Sequence, residues 1–421
     1  MTKAMKFVLP YLLGTFLIFL IFAFKQSMDP DYKFVYLFYS VNFVYLMVKI
    51  VFAYPYTPCK SPVKKFKVSV VMPSYNESEE SVVKAVKTLL KQTYKIHEII
   101  FVDDGSTSDA AYQAVKKINL KTLAGINEVN RSTKIICLRL EKNAGKKKAQ
   151  EIGFQRATGE LFLLVDSDGE ITTNALEEMI RPFYSSRVGS VVGRVEVRNV
   201  NDSYWTRVQD IFYSNSFQIG RAAQSQTGCV VVCSGALSLH RAKFVRRNMQ
   251  TFQKEKFFGI PCSAGDDRLL TDISLERSYK TVYQSTAVCY TDVPVTFKQL
   301  FKQQARWAKS AYLMTIYSLR YFFIRPVAVL WSMTETYLWL YNFIGMVVLL
   351  CKGQLGLNLQ MLLAALVYFV LISYLTNTYY SRKNLLTYLF SFYYSIGYSV
   401  VLLVIRLYAL ATIFKTGWAT R

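Results

Sequence analysis

The sequence contains little histidine and no paired cysteine motif, and these two shortages narrow its chemistry. Only His97 and His240 occur in 421 residues, so histidine-based zinc sites and catalytic triads have little support. Seven cysteines form no Cys-x-x-Cys pair, and their odd number argues against a disulfide framework. Acidic residues are also scarce, 28 against 51 basic ones, which gives a net charge of +23. No nucleic-acid motif accompanies this charge, so a basic face near anionic lipid, or a groove for diphosphate and an acidic product, explains it better.

Apolar residues cluster at both ends of the chain in runs long enough to cross a bilayer. The first run, 7–24, approaches the roughly 20 residues that a transmembrane helix needs. No small-residue cleavage site follows it, and a second apolar run covers 34–54. The sequence therefore predicts a retained transmembrane hairpin over 1–54, in contact with membrane lipids.

Further long apolar segments predict transmembrane helices over 326–414. The last of these segments, 385–414, carries Ser395, Gly397 and Ser399 near its centre. We expect a broken, re-entrant pair of helices there, which would return the chain to the cytoplasmic side.

Three charged residues, Lys49, Glu335 and Arg406, lie within the apolar segments. Lys49 and Arg406 can extend their charged ends towards the interface if they lie near a helix end. Glu335 is harder to accommodate, because an acid inside a membrane usually faces a water-filled cavity or a charged partner. We therefore expect a partner or a wet cavity beside Glu335.

Residues 55–294 have the pattern of one cytosolic α/β domain. Amphipathic helical segments alternate with short runs rich in β-branched residues, which predict strands at 68–72, 98–103, 134–140 and 161–165. Such alternation is typical of a parallel, Rossmann-like sheet with helices on both faces. Ligands bind to these sheets at the carboxyl ends of the strands. We therefore expect one cleft to be lined by the polar motifs 73–77, 103–106 and 166–168.

The first polar motifs can bind a nucleotide sugar, which presents a base, a ribose and a diphosphate. Tyr75 can stack on the base, and Glu77 can accept a ribose hydroxyl. Asp104 can accept hydrogen bonds from uracil or ribose. A run of lysines follows Gly145 and opens a helix, whose N-terminus favours anions. We expect Lys147 to reach the nucleotide, and a solvated basic turn is the alternative.

Two carboxylates, Asp166 and Asp168, follow the fourth predicted strand. A hard divalent cation that bridges a diphosphate takes one or two carboxylates together with phosphate oxygens. We expect Asp168 to be a ligand for Mg²⁺, for which Mn²⁺ can substitute, and Asp166 to face the nucleotide. A lone Asp-x-Asp motif is weak evidence, and its place after a hydrophobic strand strengthens it.

Asp267, in a Gly-Asp-Asp-Arg motif, is the candidate general base. A hydroxyl that attacks a sugar must lose a proton, and one carboxylate is enough to accept it. We expect Asp266 and Arg268 to orient Asp267. An acidic helix cap is the alternative interpretation of this motif.

Residues 295–325 mix aromatic and basic side chains, which is typical of amphipathic helices at a membrane interface. Gln303, Arg306 and Trp307 fall on one flank of such a helix, at separations of three and four residues. Arg306 can bind the diphosphate with its planar guanidinium, and Trp307 can stack on an acceptor sugar. The alternative is an interfacial helix with a tryptophan anchor.

Four motifs occur together: SGALS at 234–238, GDDR at 265–268, QQARWAKS at 303–310 and GWATR at 417–421. In these motifs the chain resembles the processive family 2 glycosyltransferases, and most closely the bacterial, streptococcal-type hyaluronan synthases. The resemblance extends over almost the whole chain. It implies a cytoplasmic GT-A-type domain attached to transmembrane and interfacial helices in the plasma membrane.

The resemblance also implies a chemistry. The family uses UDP-GlcNAc and UDP-glucuronate as donors, requires Mg²⁺, transfers with inversion, and secretes the growing polysaccharide through the same chain. Asp267 matches the family's base, Asp168 its metal ligand and Trp307 its acceptor platform. Cys233 matches a cysteine near the acceptor, which we do not expect to act as a nucleophile.

The tail, residues 415–421, resembles a cytosolic loop that gates the site in this family, through Trp418, Thr420 and Arg421. Three positions depart from the family pattern and put polymer length, rate and gating in doubt rather than the reaction class. Proline, asparagine and glycine are common where this chain has Ala236, Asp272 and Ala419.

Other functions stay open at the level of sequence. A chitin-oligosaccharide synthase would use UDP-GlcNAc alone, and a capsule synthase would combine glucose with glucuronate. A transferase that adds one sugar to a lipid carrier is disfavoured by the amphipathic helix and the terminal Trp-x-Thr-Arg motif. A non-catalytic export protein is disfavoured because every expected catalytic position is filled.

Overall fold

The computed structural model describes residues 33–254, 256–257, 260–261, 265–351, 369–370 and 372–414. The first apolar run of the predicted hairpin and the predicted gating tail lie outside the described residues. Within the described ranges the strands are β1 Val68–Ser74, β2 Glu98–Asp103, β3 Lys134–Arg139, β4 Leu161–Leu164, β5 Glu170–Ile171, β6 Val188–Val197, β7 Ser238–Arg241, β8 Lys256–Phe257, β9 Ile260–Pro261 and β10 Lys280–Thr291.

The helices of the same ranges are α1 Lys33–Ala53, α2 Glu79–Leu90, α3 Ala110–Lys116, α4 Lys146–Arg156, α5 Ala175–Ile180, α6 Tyr204–Asn215, α7 Ala222–Gln226, α8 Ala242–Arg247, α9 Met249–Lys254, α10 Asp266–Glu276, α11 Phe297–Ser318, α12 Pro326–Cys351, α13 Tyr380–Lys383, α14 Leu385–Leu389 and α15 Ser391–Ala411. Residues 372–376 are also helical. Short 3₁₀ turns lie at Glu128–Asn130, Arg181–Tyr184 and Leu319–Tyr321, and a π-helical turn at Ser216–Arg221.

Eight strands form the main sheet, in the order β3-β2-β1-β4-β7-β6-β10-β5. The four strands predicted from sequence lie side by side and are all parallel, because β1 pairs with β2 and β4, and β2 pairs with β3. Their carboxyl ends therefore meet at one edge, as expected. The Rossmann-like, GT-A-type organisation of this half is confirmed.

The other half of the sheet corrects the expectation of a purely parallel arrangement. Strand β7 lies antiparallel between β4 and β6, and β5 is antiparallel to β10. β7 is only four residues long and contains buried polar side chains, so it lacks the apolar run that marked the other strands. Its His240 is satisfied internally, with Nδ1 2.9 Å from Ser190 Oγ and Nε2 3.0 Å from Ser238 Oγ.

The hydrophobic core fixes the edge of the sheet where the polar motifs lie. Every residue of β1 and β2 is buried. Helix α2 starts at a Ser78 cap, whose side chain accepts a hydrogen bond from the Ser81 N–H at 3.2 Å. It packs Val82, Val86 and Leu89 against the sheet. Apolar burial of this kind stabilises a fold by roughly 1.5–3 kcal/mol per large side chain, so the strand ends are held on a rigid base.

Helix α11 connects the α/β domain to the apolar helices that follow it. It begins at a Thr296 capping box, in which Thr296 and Gln299 exchange side-chain and backbone hydrogen bonds. Farther along, Tyr312 packs with Trp339 of α12 and Ala409 of α15 in one buried cluster. The helix predicted to lie at the membrane interface therefore starts at a defined cap and packs against α12 and α15 farther along.

Helix α15 is long and apolar enough to cross a bilayer by length and composition. The segment 385–414 does break, but at Phe390, between α14 and α15, and not at the polar residues near its centre. The helix runs unbroken through Ser395, Gly397 and Ser399. Ser399 donates its hydroxyl to the Ser395 carbonyl at 2.8 Å, so these polar groups are satisfied within the helix. A Cβ on Gly397 would lie 2.5 Å from Tyr204 Oη, so this glycine provides a close approach between helices and no hinge.

Glu335 in α12 has the charged partner that the sequence led us to expect. Lys49 Nζ in α1 lies 3.0 Å from Glu335 Oε1, and Tyr45 Oη lies 3.4 Å from the same oxygen. Lys49 therefore points at an acid on a neighbouring helix and does not extend to the interface. An ion pair of this kind compensates two partly buried charges that would each be costly alone.

Candidate active site

The loops after β1 and β2 are joined to each other, which places the predicted nucleotide-binding residues side by side. Asn76 N–H donates to Ser106 Oγ at 2.8 Å, and Thr107 N–H donates back to Asn76 Oδ1 at 2.9 Å. Tyr75 and Glu77 flank Asn76 and are half-buried. The structure thus brings them to the loop that follows Asp104, at the carboxyl edge of the sheet.

Asp104 is buried and holds the loop in front of helix α4. Its two carboxylate oxygens each accept a backbone hydrogen bond at 2.8 Å, from the N–H groups of Ala144 and Gly145. Burial raises the pKa of Asp104, and these two hydrogen bonds oppose that rise. The predicted contact with uracil or ribose stays a prediction. The observed contacts fix the start of α4, where the lysines lie.

Lys146 reaches the acidic cluster at the end of β4. The Lys146 ammonium forms an ion pair with Asp166. Burial acts to lower the pKa of Lys146, and the charges of Asp166, Asp266 and Asp267 together outweigh that effect and raise it. Lys147 lies over the Phe252 ring, 5.4 Å from its centre, and its predicted contact with the nucleotide stays a prediction.

Asp267 lies at the first turn of α10 and has the surroundings of a general base. Its Oδ1 accepts a hydrogen bond from the Arg268 N–H at 2.7 Å, and its Oδ2 accepts one from the Gly235 N–H at 3.3 Å. Burial and the neighbouring charge of Asp266 raise the pKa of Asp267 to about 6, against the opposing effect of Lys146. A carboxylate with a pKa near 6 is ionised at neutral pH and is still a competent proton acceptor.

The side chain of Arg268 does not orient Asp267, contrary to our expectation. It hydrogen-bonds to Ser332 in α12, and its Nε lies 3.5 Å from Asp272 Oδ2. Only the backbone N–H of Arg268 touches the base. Asp272, one of the departures from the family pattern, is fully buried and also accepts a hydrogen bond from Tyr321 Oη at 2.7 Å.

The end of β4 carries oxygen ligands that suit a divalent cation completed by a substrate. Asp168 is 7% exposed, and the Asp166 side chain is 32% exposed beside Lys146. No group of three or more acidic, histidine or cysteine side chains able to hold a metal occurs among the described residues. One or two carboxylates are nevertheless what Mg²⁺ takes when diphosphate oxygens provide the other ligands. The donor set therefore fits the predicted metal.

Helix α11 approaches the base at Gly265, the residue before α10. Gly265 has a positive φ of 88°, and a Cβ there would lie 1.9 Å from Ser310 Oγ. On the same helix, Trp307 is 38% exposed, and its ring lies 6.4 Å from the Tyr213 ring. Arg306 is half-buried, and Gln303 has a buried Oε1 without a hydrogen-bond partner. The structure therefore brings the two motifs together.

Cys233 lies beneath the base and is fully buried. Its N–H donates to Thr271 Oγ1 at 2.9 Å, and that hydroxyl donates to the Asp267 carbonyl at 2.8 Å. Burial raises the pKa of the Cys233 thiol to about 12, so the thiol stays protonated at neutral pH. This agrees with the expectation that Cys233 is no nucleophile.

Sequence reasoning did not assign roles to Lys146 and Gly235. It also named three tail residues that lie outside the described part of the chain. A Cβ on Gly235 would lie 3.3 Å from Lys146 Nζ, so this glycine permits the approach of the ammonium to the acidic cluster. Gly235 belongs to the SGALS motif, which was a usable signal. The tail residues lie outside the described part of the chain: Trp418, Thr420 and Arg421.

An α/β sheet of this order, with a carboxylate base and paired acids at one edge, defines a GT-A-type glycosyltransferase. Residues 69–247 match the family described as glycosyl transferase family 2, and residues 161–416 match glycosyl transferase family group 2. The chain belongs to the family 2 glycosyltransferases and, within them, to the group of the streptococcal hyaluronan synthases.

Individual relatives agree with this assignment. The chain is 38% identical to a hyaluronan synthase of Streptococcus pyogenes over 90% of this chain and 88% of that protein. It is 31% identical to an N-acetylglucosaminyltransferase of Azorhizobium caulinodans over 60% of this chain and 62% of that one. It is therefore a membrane protein that uses a UDP-sugar as hexosyl donor.

A solved structure supports the fold. A mannosyltransferase from Pyrobaculum calidifontis, in complex with GDP-mannose and Mn²⁺, aligns with a TM-score of 0.59 at 17% identity. The alignment covers 89% of this chain and 97% of that one. At this identity the likeness concerns the fold alone.

Proposed function

We propose that this chain is a processive membrane glycosyltransferase that polymerises UDP-GlcNAc and UDP-glucuronate into hyaluronan and moves the polysaccharide across the membrane. The observation that carries this function is 38% identity over 88% of a streptococcal hyaluronan synthase. The catalytic domain would face the cytoplasm, with the chain passing the plasma membrane several times. Helix α15 and the Lys49–Glu335 pair support such an arrangement.

Asp267 is the proposed general base of an inverting transfer. In its ionised form it accepts the proton of the acceptor hydroxyl as that oxygen attacks the anomeric carbon. Two backbone N–H groups donate hydrogen bonds to its carboxylate and so fix its orientation. UDP departs from the opposite face of the donor sugar, so the configuration at that carbon inverts.

Lys146 and Arg306 provide positive charge for the departing diphosphate in this proposal. Lys146 already lies among three carboxylates, and α11 holds Arg306 on the same side as Ser310, which contacts the base loop. A guanidinium matches phosphate oxygens in two places, which adds direction as well as charge. Tyr75, Glu77 and Asp104 are the proposed residues for the uridine, and Lys147 is a further proposed contact of the nucleotide.

A divalent cation belongs to this proposal, with Asp168 as its ligand and Asp166 beside the nucleotide. When bound, Mg²⁺, or Mn²⁺ in its place, neutralises negative charge on the leaving diphosphate. The protein's own contribution is to hold two carboxylates at the end of a fully buried strand.

Trp307 is the proposed platform for the acceptor sugar, with Gln303 and Cys233 near it. An exposed indole beside Tyr213 offers a flat apolar surface to a sugar ring. Trp418, Thr420 and Arg421 are proposed to gate the site from the tail.

Donor dependence tests the function. Purified full-length protein is incubated with each UDP-sugar singly and in pairs, and the product is sized before and after digestion with a hyaluronan-specific lyase. We expect a long, lyase-sensitive product only with UDP-GlcNAc and UDP-glucuronate together. A polymer from UDP-GlcNAc alone would instead establish chitin-type synthesis, and a polymer requiring UDP-glucose would establish a different capsule polysaccharide.

A further inference from the structure

Arg221 is a partly buried cation to which the proposed chemistry gives no role. It ends the π-helical turn Ser216–Arg221, between α6 and α7. Its Nε is fully buried without a hydrogen-bond partner. Among the described residues it forms no ion pair, and its guanidinium lies 5.6 Å from the centre of the Phe217 ring. Because a buried charge is costly without compensation, this arrangement calls for an anion.

Arg221 lies near both the candidate base and the Lys49–Glu335 ion pair. The acidic groups whose charges act on it are Glu335 in α12 and Asp267, the candidate base. Glu335 is already paired with Lys49 at 3.0 Å, and Asp267 is held by backbone N–H groups. The preceding residue, Gly220, lies against that ion pair, since a Cβ there would be 3.8 Å from both Lys49 Nζ and Glu335 Oε1. Neither acid is therefore a dedicated partner of Arg221.

Two further polar atoms, one before and one after Arg221 in the sequence, are also buried without a partner. Asn215 Oδ1, at the end of α6, and Ser234 Oγ, next to Cys233 and Gly235, are buried without hydrogen-bond partners. In folded proteins such groups are nearly always satisfied, so each exception is a candidate contact for bound water, an ion or a ligand. The π-helical turn, a conformation frequent at functional sites, lies between Asn215 and Ser234 in the sequence.

We propose that Arg221 binds the carboxylate of a glucuronate unit in the growing polysaccharide, at a subsite on the membrane side of Asp267. This inference rests on the proposed function, because it needs an acidic polymer. A guanidinium can form two parallel hydrogen bonds with a carboxylate. A neutral chain of GlcNAc would offer Arg221 no carboxylate, so the subsite would select an acidic product over a chitin-like one.

The test compares acidic and neutral oligosaccharides on purified full-length protein. Binding of a hyaluronan tetrasaccharide and of a chitin tetrasaccharide is measured for wild type, Arg221→Gln and Arg221→Lys. Arg207→Gln is the matched control, because Arg207 lies on the adjoining helix α6 and donates to Asn201 Oδ1 at 2.9 Å. Affinity for UDP, measured on each variant, reports whether the nucleotide site is folded.

We expect Arg221→Gln to lose about tenfold to a hundredfold in affinity for the acidic tetrasaccharide, as for other hydrogen bonds to a charged group. Its affinity for the neutral one should fall much less, and product from paired donors should shorten. Arg221→Lys should be intermediate, and Arg207→Gln should match wild type.

Two results would overturn the inference: an unchanged preference for the acidic oligosaccharide in Arg221→Gln, or Arg221→Lys falling as far as Arg221→Gln while UDP affinity is intact. A loss of UDP affinity together with both oligosaccharides would also overturn it, since Arg221 would then be structural. The proposed function has a separate point of failure. If wild type makes polymer from UDP-GlcNAc alone, the function is wrong whatever Arg221 does.

Discussion

Replacement of Lys146 by methionine tests how the acidic cluster is tuned. Methionine has a similar reach without the charge, so Asp166 loses its ion-pair partner. Asp266 and Asp267 also lose the positive charge that Lys146 places beside them. Since the ionised form of Asp267 is the proton acceptor, its pKa must rise further and activity must shift to higher pH.

The size of this shift follows from the place of Gly235 between the two charges. A Cβ on Gly235 would be 3.3 Å from Lys146 Nζ, and the Gly235 N–H is 3.3 Å from Asp267 Oδ2. Because N and Cβ of one residue are about 2.5 Å apart, these distances limit the Nζ–Oδ2 separation to about 9 Å. At that separation and an effective dielectric constant of about 20, Coulomb's law gives about 2 kcal/mol, or roughly 1.5 pKa units. The ionised fraction of Asp267 at about pH 7 then falls about fourfold.

The assay is the rate of polymer formation as a function of pH, with both donors saturating. In wild type the acidic limb should have its midpoint near the Asp267 pKa of about 6, with activity rising as pH increases. In Lys146→Met the midpoint should move up by roughly 1.5 units. Lys147→Met is the matched control, because Lys147 lies over Phe252 and should leave the midpoint in place. An unmoved limb in Lys146→Met would refute the electrostatic reasoning.

Three further predictions concern the base, the glycine before it and the acceptor platform. Asp267→Asn should lower elongation by about 10²–10⁴-fold while UDP still binds, and turnover near wild type would remove the base assignment. Gly265→Ala should cost about 1–2 kcal/mol from its positive φ alone and displace Ser310, so a wild-type melting temperature with full activity would contradict the observed contact. Trp307→Ala should shorten the product more than it weakens UDP binding, and an unchanged product length would argue against stacking.

The parallel half of the sheet could be predicted from sequence because each strand is a buried run bounded by polar turns. Strand β2 was predicted with the residues it has, Glu98–Asp103. Strand β7 could not be found in this way. It is short, and its Ser238 and His240 are buried through hydrogen bonds to each other and to Ser190, so no apolar pattern reveals its burial.

The positions of the acidic side chains in the candidate site could be predicted from the sequence. Which lysine contacts them could not. Asp166, Asp168 and Asp267 follow predicted strands or open a helix, so their positions follow from local pattern. The choice between Lys146 and Lys147 depends on the direction in which a helix begins, since successive helical residues differ by about 100° in direction. That direction is fixed by Asp104, whose carboxylate binds the N–H groups of the loop before α4, a contact 40 residues apart in sequence.

The contacts of Arg268 connect the candidate base directly to helix α12 and, through Ser332, to helix α11. Its backbone N–H binds the carboxylate of Asp267, and its guanidinium binds Ser332 in α12. Ser332 Oγ donates to Thr315 Oγ1 of α11 at 3.0 Å, and Thr315 Oγ1 lies 2.7 Å from Thr336 Oγ1. Because these groups are buried, breaking any one contact would leave an unsatisfied polar atom. The base, the helix of the acceptor platform and the helix that carries Glu335 are therefore held in one fixed arrangement.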